Sequence, residues 1–209
     1  MSVAIETQPR LATEPRGQVA VVVADGLRIL VSPDDFATLC RYNGDLRLER
    51  SAEGVLIAMS PAGSKSGRLE ILITTPLQNW VERDRSGVAF GPTAGFTLPK
   101  GAVRSPDASW IKLERWNALT VEQQEGFAPI VPDFVVELCS PSDSRPETRA
   151  KMVEYLEQGA RLGWLIDPKT KEVEISRQGR PVEILKNPRT VSGEDVLPGF
   201  TLDLNEIFD

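Results

Sequence analysis

The chain contains no histidine and only two cysteines, Cys40 and Cys139, which lie far apart. The missing histidine excludes Ser-His-Asp and Cys-His nucleophile systems and all histidine-ligated zinc sites. Two separated cysteines cannot build a zinc site of thiolates, and so few cysteines favour a reducing, cytoplasmic compartment. Any metal chemistry must therefore rest on carboxylate and carbonyl oxygens, which favour Mg²⁺, Mn²⁺ or Ca²⁺.

Long apolar runs are also missing: none approaches the roughly 20 residues that a membrane span needs. The net charge of −6 argues against a nucleic-acid binder, although a local basic face can coexist with an acidic total. A length of 209 residues with 41% hydrophobic residues fits one domain. Residues 1–18 are polar and aperiodic and are predicted to form a flexible arm, followed by a single domain over residues 19–209.

Periodicity and turn residues predict an α/β fold with antiparallel edges. The clearest helical stripe lies in residues 63–87, where Pro76 is expected to kink or interrupt the helix. The run 133–139 is apolar on both faces apart from one acid, which is typical of a buried central strand. The other main elements are predicted as helices at 33–42 and 145–159, strands at 88–98, 107–111 and 162–168, and hairpins at 46–61 and 171–187.

Three acids stand where their neighbours predict burial. Asp107 begins an apolar strand, Glu137 interrupts Phe-Val-Val-Glu-Leu-Cys, and Glu49 closes an alternating strand. Burying a carboxylate without a partner costs several kcal/mol. Two carboxylates on neighbouring strands can instead share one hard cation and leave room for water and phosphate.

Each acid also has an ordinary structural interpretation. Glu137 could form an ion pair with Arg145, Arg149 or Lys151. Asp107 could be a turn residue after proline. Glu49 could be an edge-strand charge, and Lys151 a solvated charge on its helix.

A resemblance to a known family joins these residues. Pro106-Asp107, followed on a later strand by Val-Val-Glu-Leu at 135–138, resembles the PD-(D/E)xK nuclease superfamily and, more narrowly, the Uma2 family of restriction-endonuclease-like proteins. The likeness runs from about Ser32 to Asp209. It includes the 46–61 hairpin, Arg-Ser-Pro-Asp-Ala-Ser-Trp-Ile at 104–111, the segment 132–168 and Asp-Val-Leu-Pro-Gly-Phe at 195–200.

The resemblance implies a mixed central sheet flanked by helices, with extra β-hairpins. It also implies that Asp107 and Glu137 ligate a metal, with the Leu138 carbonyl as a third ligand and Glu49 acting directly or through water. The lysine usual two residues after the glutamate is replaced by Cys139. Lys151 stands at the position to which this family displaces it, where it would lower the pKa of the attacking water or steady phosphate charge.

The function implied by the resemblance is a Mg²⁺-dependent endonuclease that hydrolyses DNA phosphodiester bonds, with Mn²⁺ as a substitute metal. Because duplex cleavage needs two sites, a homodimer is expected. One alternative is a catalytically inactive nuclease-fold module that binds nucleic acid or protein. Another is a hydrolase acting on small phosphoesters.

Overall fold

The computed structural model describes residues 28–59, 61–140 and 144–209. The predicted arm at 1–18 and the predicted start of the domain lie outside the described residues, so a single domain over 19–209 stays a prediction. The described helices are α1 (Pro33–Tyr42), α2 (Ser64–Asp84), α3 (Leu113–Asn117), α4 (Val121–Glu125), α5 (Arg145–Gln158) and α6 (Asn205–Phe208). The described strands are β1 (Arg47–Arg50), β2 (Leu56–Met59), β3 (Gly87–Phe90), β4 (Phe96–Thr97), β5 (Val103–Arg104), β6 (Ala108–Lys112), β7 (Phe134–Leu138), β8 (Leu162–Asp167), β9 (Glu172–Arg177), β10 (Glu183–Lys186), β11 (Thr190–Ser192) and β12 (Thr201–Asp203).

A six-stranded mixed sheet forms the centre, in the order β10-β9-β8-β7-β6-β3. Strands β7 and β8 run parallel and are joined through α5, whereas the other neighbours pair antiparallel. Every residue of β7 is buried, as its apolar run predicts. The predicted mixed α/β class, with a central sheet flanked by helices, is confirmed.

The two faces of this sheet carry different helices. Val136 packs in one apolar cluster with α2 residues such as Leu77, while Val135 packs in another with Tyr155 of α5. Because side chains alternate along a strand, Glu137 lies on the same face as Val135. The acid inside β7 therefore faces α5.

A second, four-stranded antiparallel sheet covers part of the α5 face, in the order β2-β1-β5-β4. Phe96 of β4, together with Leu98 and Ala102 in the connection between β4 and β5, shares the apolar cluster that contains Tyr155. The chain passes from β5 directly into β6 of the large sheet through residues 105–107. This short connection brings Glu49 on β1 and Arg104 on β5 close to the start of β6.

Two predicted elements differ from the structure. Helix α2 runs through Pro76 without interruption, because the buried stripe on either side of the proline offsets the lost hydrogen bond. The predicted strand 88–98 is two strands, β3 and β4, which belong to different sheets. Gly91 and Pro92 begin the turn that separates them. None of the helices in the described part of the chain is long and apolar enough to cross a bilayer.

Helix α5 packs directly against the large sheet. It ends at Gly159, as predicted, and this glycine adopts a φ of 127°, which a residue with a side chain rarely adopts. At Gly163 in β8 an added Cβ would overlap the Met152 sulfur. The missing side chain at 163 thus lets α5 pack against β8, which sets the position of Lys151 one residue before Met152.

Candidate active site

Asp107 and Glu137 lie at the adjoining ends of two neighbouring strands. Asp107 directly precedes β6, and Glu137 follows Val136, which pairs with Ala108 in the β6–β7 ladder. The Leu138 N–H donates a hydrogen bond of 2.8 Å to Asp107 Oδ2, which orients the aspartate at the end of β7.

Lys151 reaches the acids from α5. Its Nζ lies 3.1 Å from Glu137 Oε1 and 3.2 Å from Glu49 Oε1. One turn further along the helix, the Tyr155 hydroxyl donates a 3.0 Å hydrogen bond to Glu137 Oε1. The spacing of four residues puts the ammonium and the phenol on the same face of the helix.

Glu49 enters from the second sheet and is 1% exposed. Its Oε2 accepts a hydrogen bond from Arg104 at 3.1 Å, and its Oε1 accepts one from the Ser105 N–H at 3.0 Å. Arg104 also donates to Glu154 of α5 at 2.6 Å. All five predicted site residues, Glu49, Asp107, Glu137, Leu138 and Lys151, therefore meet in one region.

Burial dominates the electrostatics of Glu137. Loss of solvent raises the pKa of its carboxyl to about 7, because the neighbouring Lys151 offsets only part of the cost and the charges of Asp107 and Glu49 add to it. Burial would lower the pKa of Lys151, but the charges of Glu137 and Glu49 outweigh burial and raise it. Lys151 is consequently a permanent cation at neutral pH.

The structure distinguishes between the three possible ion-pair partners of Glu137. Lys151 is its partner, whereas Arg145 and Arg149 contact acids of β8 and β9 instead. The interpretation of Lys151 as a solvated helix charge does not agree with the structure, because only 20% of its side chain is exposed.

Three residues near the site were not identified as site residues from the sequence. Tyr155 was not named as a site residue, although its spacing of four residues from Lys151 could have indicated a shared role. Arg104 gave no signal beyond standing close to Asp107 in sequence. The carboxyl of Glu70 on α2 has a raised pKa, first from burial and then from the charge of Asp107, which places it at the margin of the site.

The oxygen atoms of the site are of the chemical type that binds a hard cation. Carboxylate and carbonyl oxygens are the ligands that Mg²⁺ and Mn²⁺ prefer, and Asp107 and Glu137 carry such oxygens at the adjoining ends of two strands. Within the described ranges, however, no group of three or more Asp, Glu, His or Cys residues is arranged to hold a metal. A cation here would depend on two carboxylates together with backbone oxygen and water.

Comparisons with known proteins identify the family and the fold. The sequence model of the Uma2 family, described as "Putative restriction endonuclease", matches residues 33–205. The fold is similar to the crystal structure of a putative nuclease belonging to DUF820 from Anabaena variabilis ATCC 29413, with a TM-score of 0.65 and 23% sequence identity. That match covers 77% of this chain and 89% of the other. No curated protein matches significantly.

Proposed function

The chain belongs to the Uma2 family, and we propose that it is a divalent-metal-dependent nuclease that hydrolyses phosphodiester bonds in DNA. The observation that carries this proposal is the meeting of Asp107 and Glu137, at the adjoining ends of neighbouring strands, with Lys151 of α5. Two acids and a lysine in one place provide both cation ligands and a fixed positive charge. Metal-dependent phosphodiester hydrolysis uses such ligands and gains from such a charge.

Asp107 and Glu137 are the proposed Mg²⁺ ligands, with the Leu138 carbonyl as a third and Mn²⁺ as a substitute metal. A bound divalent cation would neutralise negative charge on the scissile phosphate. We give Glu49 no contact with the cation in this proposal, because its oxygens already contact Arg104, Ser105 and Lys151.

Lys151 has an electrostatic role in this proposal. Its raised pKa keeps the ammonium protonated, so it does not act as a general base. A fixed ammonium stabilises the negative charge that develops on phosphate oxygens and holds a water molecule by hydrogen bonding. Lysine donors are suited to such a role because the ammonium carries three N–H groups.

A second candidate function is a catalytically inactive nuclease-fold module that binds nucleic acid or protein. Two observations favour it. Lys151 already forms internal ion pairs with both glutamates, and no group of three acids in the described part of the chain is arranged to hold a metal. In this case the cluster would serve the fold alone.

The Asp107→Asn variant separates the two candidates. It keeps the shape of the side chain and its acceptor for the Leu138 N–H but removes the negative charge. We expect the wild type to bind Mn²⁺ in calorimetry and to nick supercoiled plasmid with Mg²⁺. Asp107→Asn should lose detectable Mn²⁺ binding, nick at least about 100-fold more slowly and keep its melting temperature.

The matched control is Asp45→Asn, which changes an exposed aspartate in the turn between α1 and β1. It should bind Mn²⁺ and nick like the wild type. Nicking by Asp107→Asn at the wild-type rate would refute the site assignment. Absence of Mn²⁺ binding by the wild type at millimolar metal would support the inactive module.

Cleavage of both strands of a duplex needs two such sites, so we further propose a homodimer. Sedimentation of the full chain with and without a DNA duplex tests this. A monomer in both conditions would restrict the proposed activity to nicking or to single strands.

A further inference from the structure

Glu49 has most of its hydrogen-bonding capacity filled by this chain. Its Oε1 accepts from the Ser105 N–H and from Lys151, and its Oε2 accepts from Arg104. An ionised carboxylate offers about four acceptor positions, so three are occupied. With 1% exposure, Glu49 is also shielded from solvent. It is therefore poorly placed to ligate a metal directly.

Arg104 ties this carboxylate to helix α5. Its side chain is 8% exposed, and it contacts Glu49 at 3.1 Å and Glu154 at 2.6 Å. Glu154 stands three residues after Lys151 on α5, and Lys151 returns to Glu49 at 3.2 Å. The contacts thus close a ring through β1, β5 and α5, with the Lys151 ammonium as one member.

We propose that Glu49 and Arg104 are positioning residues that hold the Lys151 ammonium beside Glu137. The inference rests on the proposed function, because it gives Lys151 its place in that reaction. A lysine side chain loses up to about 2 kcal/mol of rotamer freedom when it is fixed, and Glu137 must share its oxygens once a cation binds. A second, independent carboxylate keeps the ammonium in place at that moment.

Chemical labelling of lysines tests the ring without any metal or substrate. The full chain is acetylated briefly with an N-hydroxysuccinimide ester, and the modification at each lysine is measured by mass spectrometry. Glu49→Gln should raise labelling of Lys151 several-fold. The matched control Glu157→Gln removes the partner of exposed Lys100 and should leave Lys151 unchanged. Equal Lys151 labelling in wild type and Glu49→Gln would overturn the proposal.

Kinetics and metal binding then distinguish a positioning role from a ligand role. We expect Glu49→Gln to keep wild-type Mn²⁺ affinity and DNA KM while kcat falls about 100-fold. The double variant Glu49→Gln/Lys151→Gln should be no slower than Lys151→Gln, because Glu49 acts only through the lysine. A tenfold or larger loss of Mn²⁺ affinity, or a further slowing in the double variant, would overturn it.

The two proposals can fail separately. If the wild-type chain neither binds Mn²⁺ nor nicks DNA, the nuclease proposal fails, while increased Lys151 labelling in Glu49→Gln would still establish the ring. If the wild type nicks but Lys151 labelling does not respond, the nuclease proposal stands and the positioning role is wrong.

Discussion

Two clusters of ion-paired side chains lie beside helix α5. They are built from similar residue types but differ in the pKa of their carboxyl groups. The site cluster consists of Glu49, Arg104, Asp107, Glu137 and Lys151. The arginine cluster consists of Arg145, Arg149, Asp167, Glu172 and Glu174. Both join α5 to strands, and each contains three acids and two cations, but the first lies deeper and pairs Glu137 with an ammonium, whereas both cations of the second are guanidinium groups.

In the arginine cluster the acids are well matched. Arg149 donates two hydrogen bonds to Glu174, from Nε to Oε2 at 2.8 Å and from Nη2 to Oε1 at 2.6 Å. Arg145 contacts Glu174, Glu172 and Asp167. Burial would raise the pKa of Glu174, but the hydrogen bonds from Arg149 and Arg145 outweigh burial and lower it. Planar guanidinium groups suit this bidentate contact. This cluster therefore stabilises the fold.

In the site cluster, burial has a larger effect on the carboxyl pKa than the neighbouring positive charge has. Burial outweighs Lys151 and raises the pKa of Glu137 to about 7. Glu137 has only a share of the Lys151 ammonium, because Glu49 contacts the same ammonium as well as Arg104. A divalent cation could supply further positive charge beside Glu137. A raised carboxyl pKa, and not the number of ion pairs, therefore distinguishes the proposed site from the arginine cluster.

The largest effect expected within this comparison is on folding stability. Glu174→Gln should lower the free energy of unfolding by about 2 kcal/mol, because Arg145 and Arg149 both lose their common partner. Urea denaturation measures the loss. Glu206→Gln, which removes the partner of exposed Arg68, is the control and should change stability little. Mn²⁺ affinity should stay at the wild-type value; a loss there would mean that the two clusters are not separate.

The raised pKa of Glu137, in contrast to the lowered pKa of Glu174, predicts that metal binding depends on pH. Glu137 ligates in its ionised form, and its folded pKa is about 7, so protons compete with metal below that pH. Mn²⁺ affinity should level off above about pH 8 and fall towards about tenfold per unit below about pH 7. Calorimetry across this range at constant ionic strength measures it. An affinity that stays constant down to about pH 5 would show that Glu137 titrates like an exposed glutamate.

The smallest expected effect concerns Tyr155. Tyr155→Phe removes the hydroxyl that donates to Glu137 and keeps the buried ring. Loss of one hydrogen bond to a charged group should weaken Mn²⁺ binding by about 1.5 kcal/mol, roughly tenfold. Titration with Mn²⁺ measures the change, and Tyr42→Phe, at an exposed tyrosine, is the control. Unchanged affinity would show that the phenol does not orient Glu137.

Several features were predictable because they depend on local pattern. The apolar run around Glu137 predicted a buried central strand, and Gly159 predicted the end of α5. The interruption expected at Pro76 does not occur, because the local propensity of proline does not include the packing of the α2 stripe. The division of 88–98 between two sheets was missed for a related reason: strand pattern does not reveal which partner each half will find.

Composition and pattern alone restricted the chemistry of this chain. Without histidine, any metal site must use oxygen ligands, and Asp107 and Glu137 were the acids whose surroundings required a partner. The identity of those partners came from packing. Lys151 and Glu49 are 102 positions apart in sequence, and their contact exists only because α5 packs between two sheets. Distances of that kind depend on the whole fold, since no local preference of the backbone encodes them.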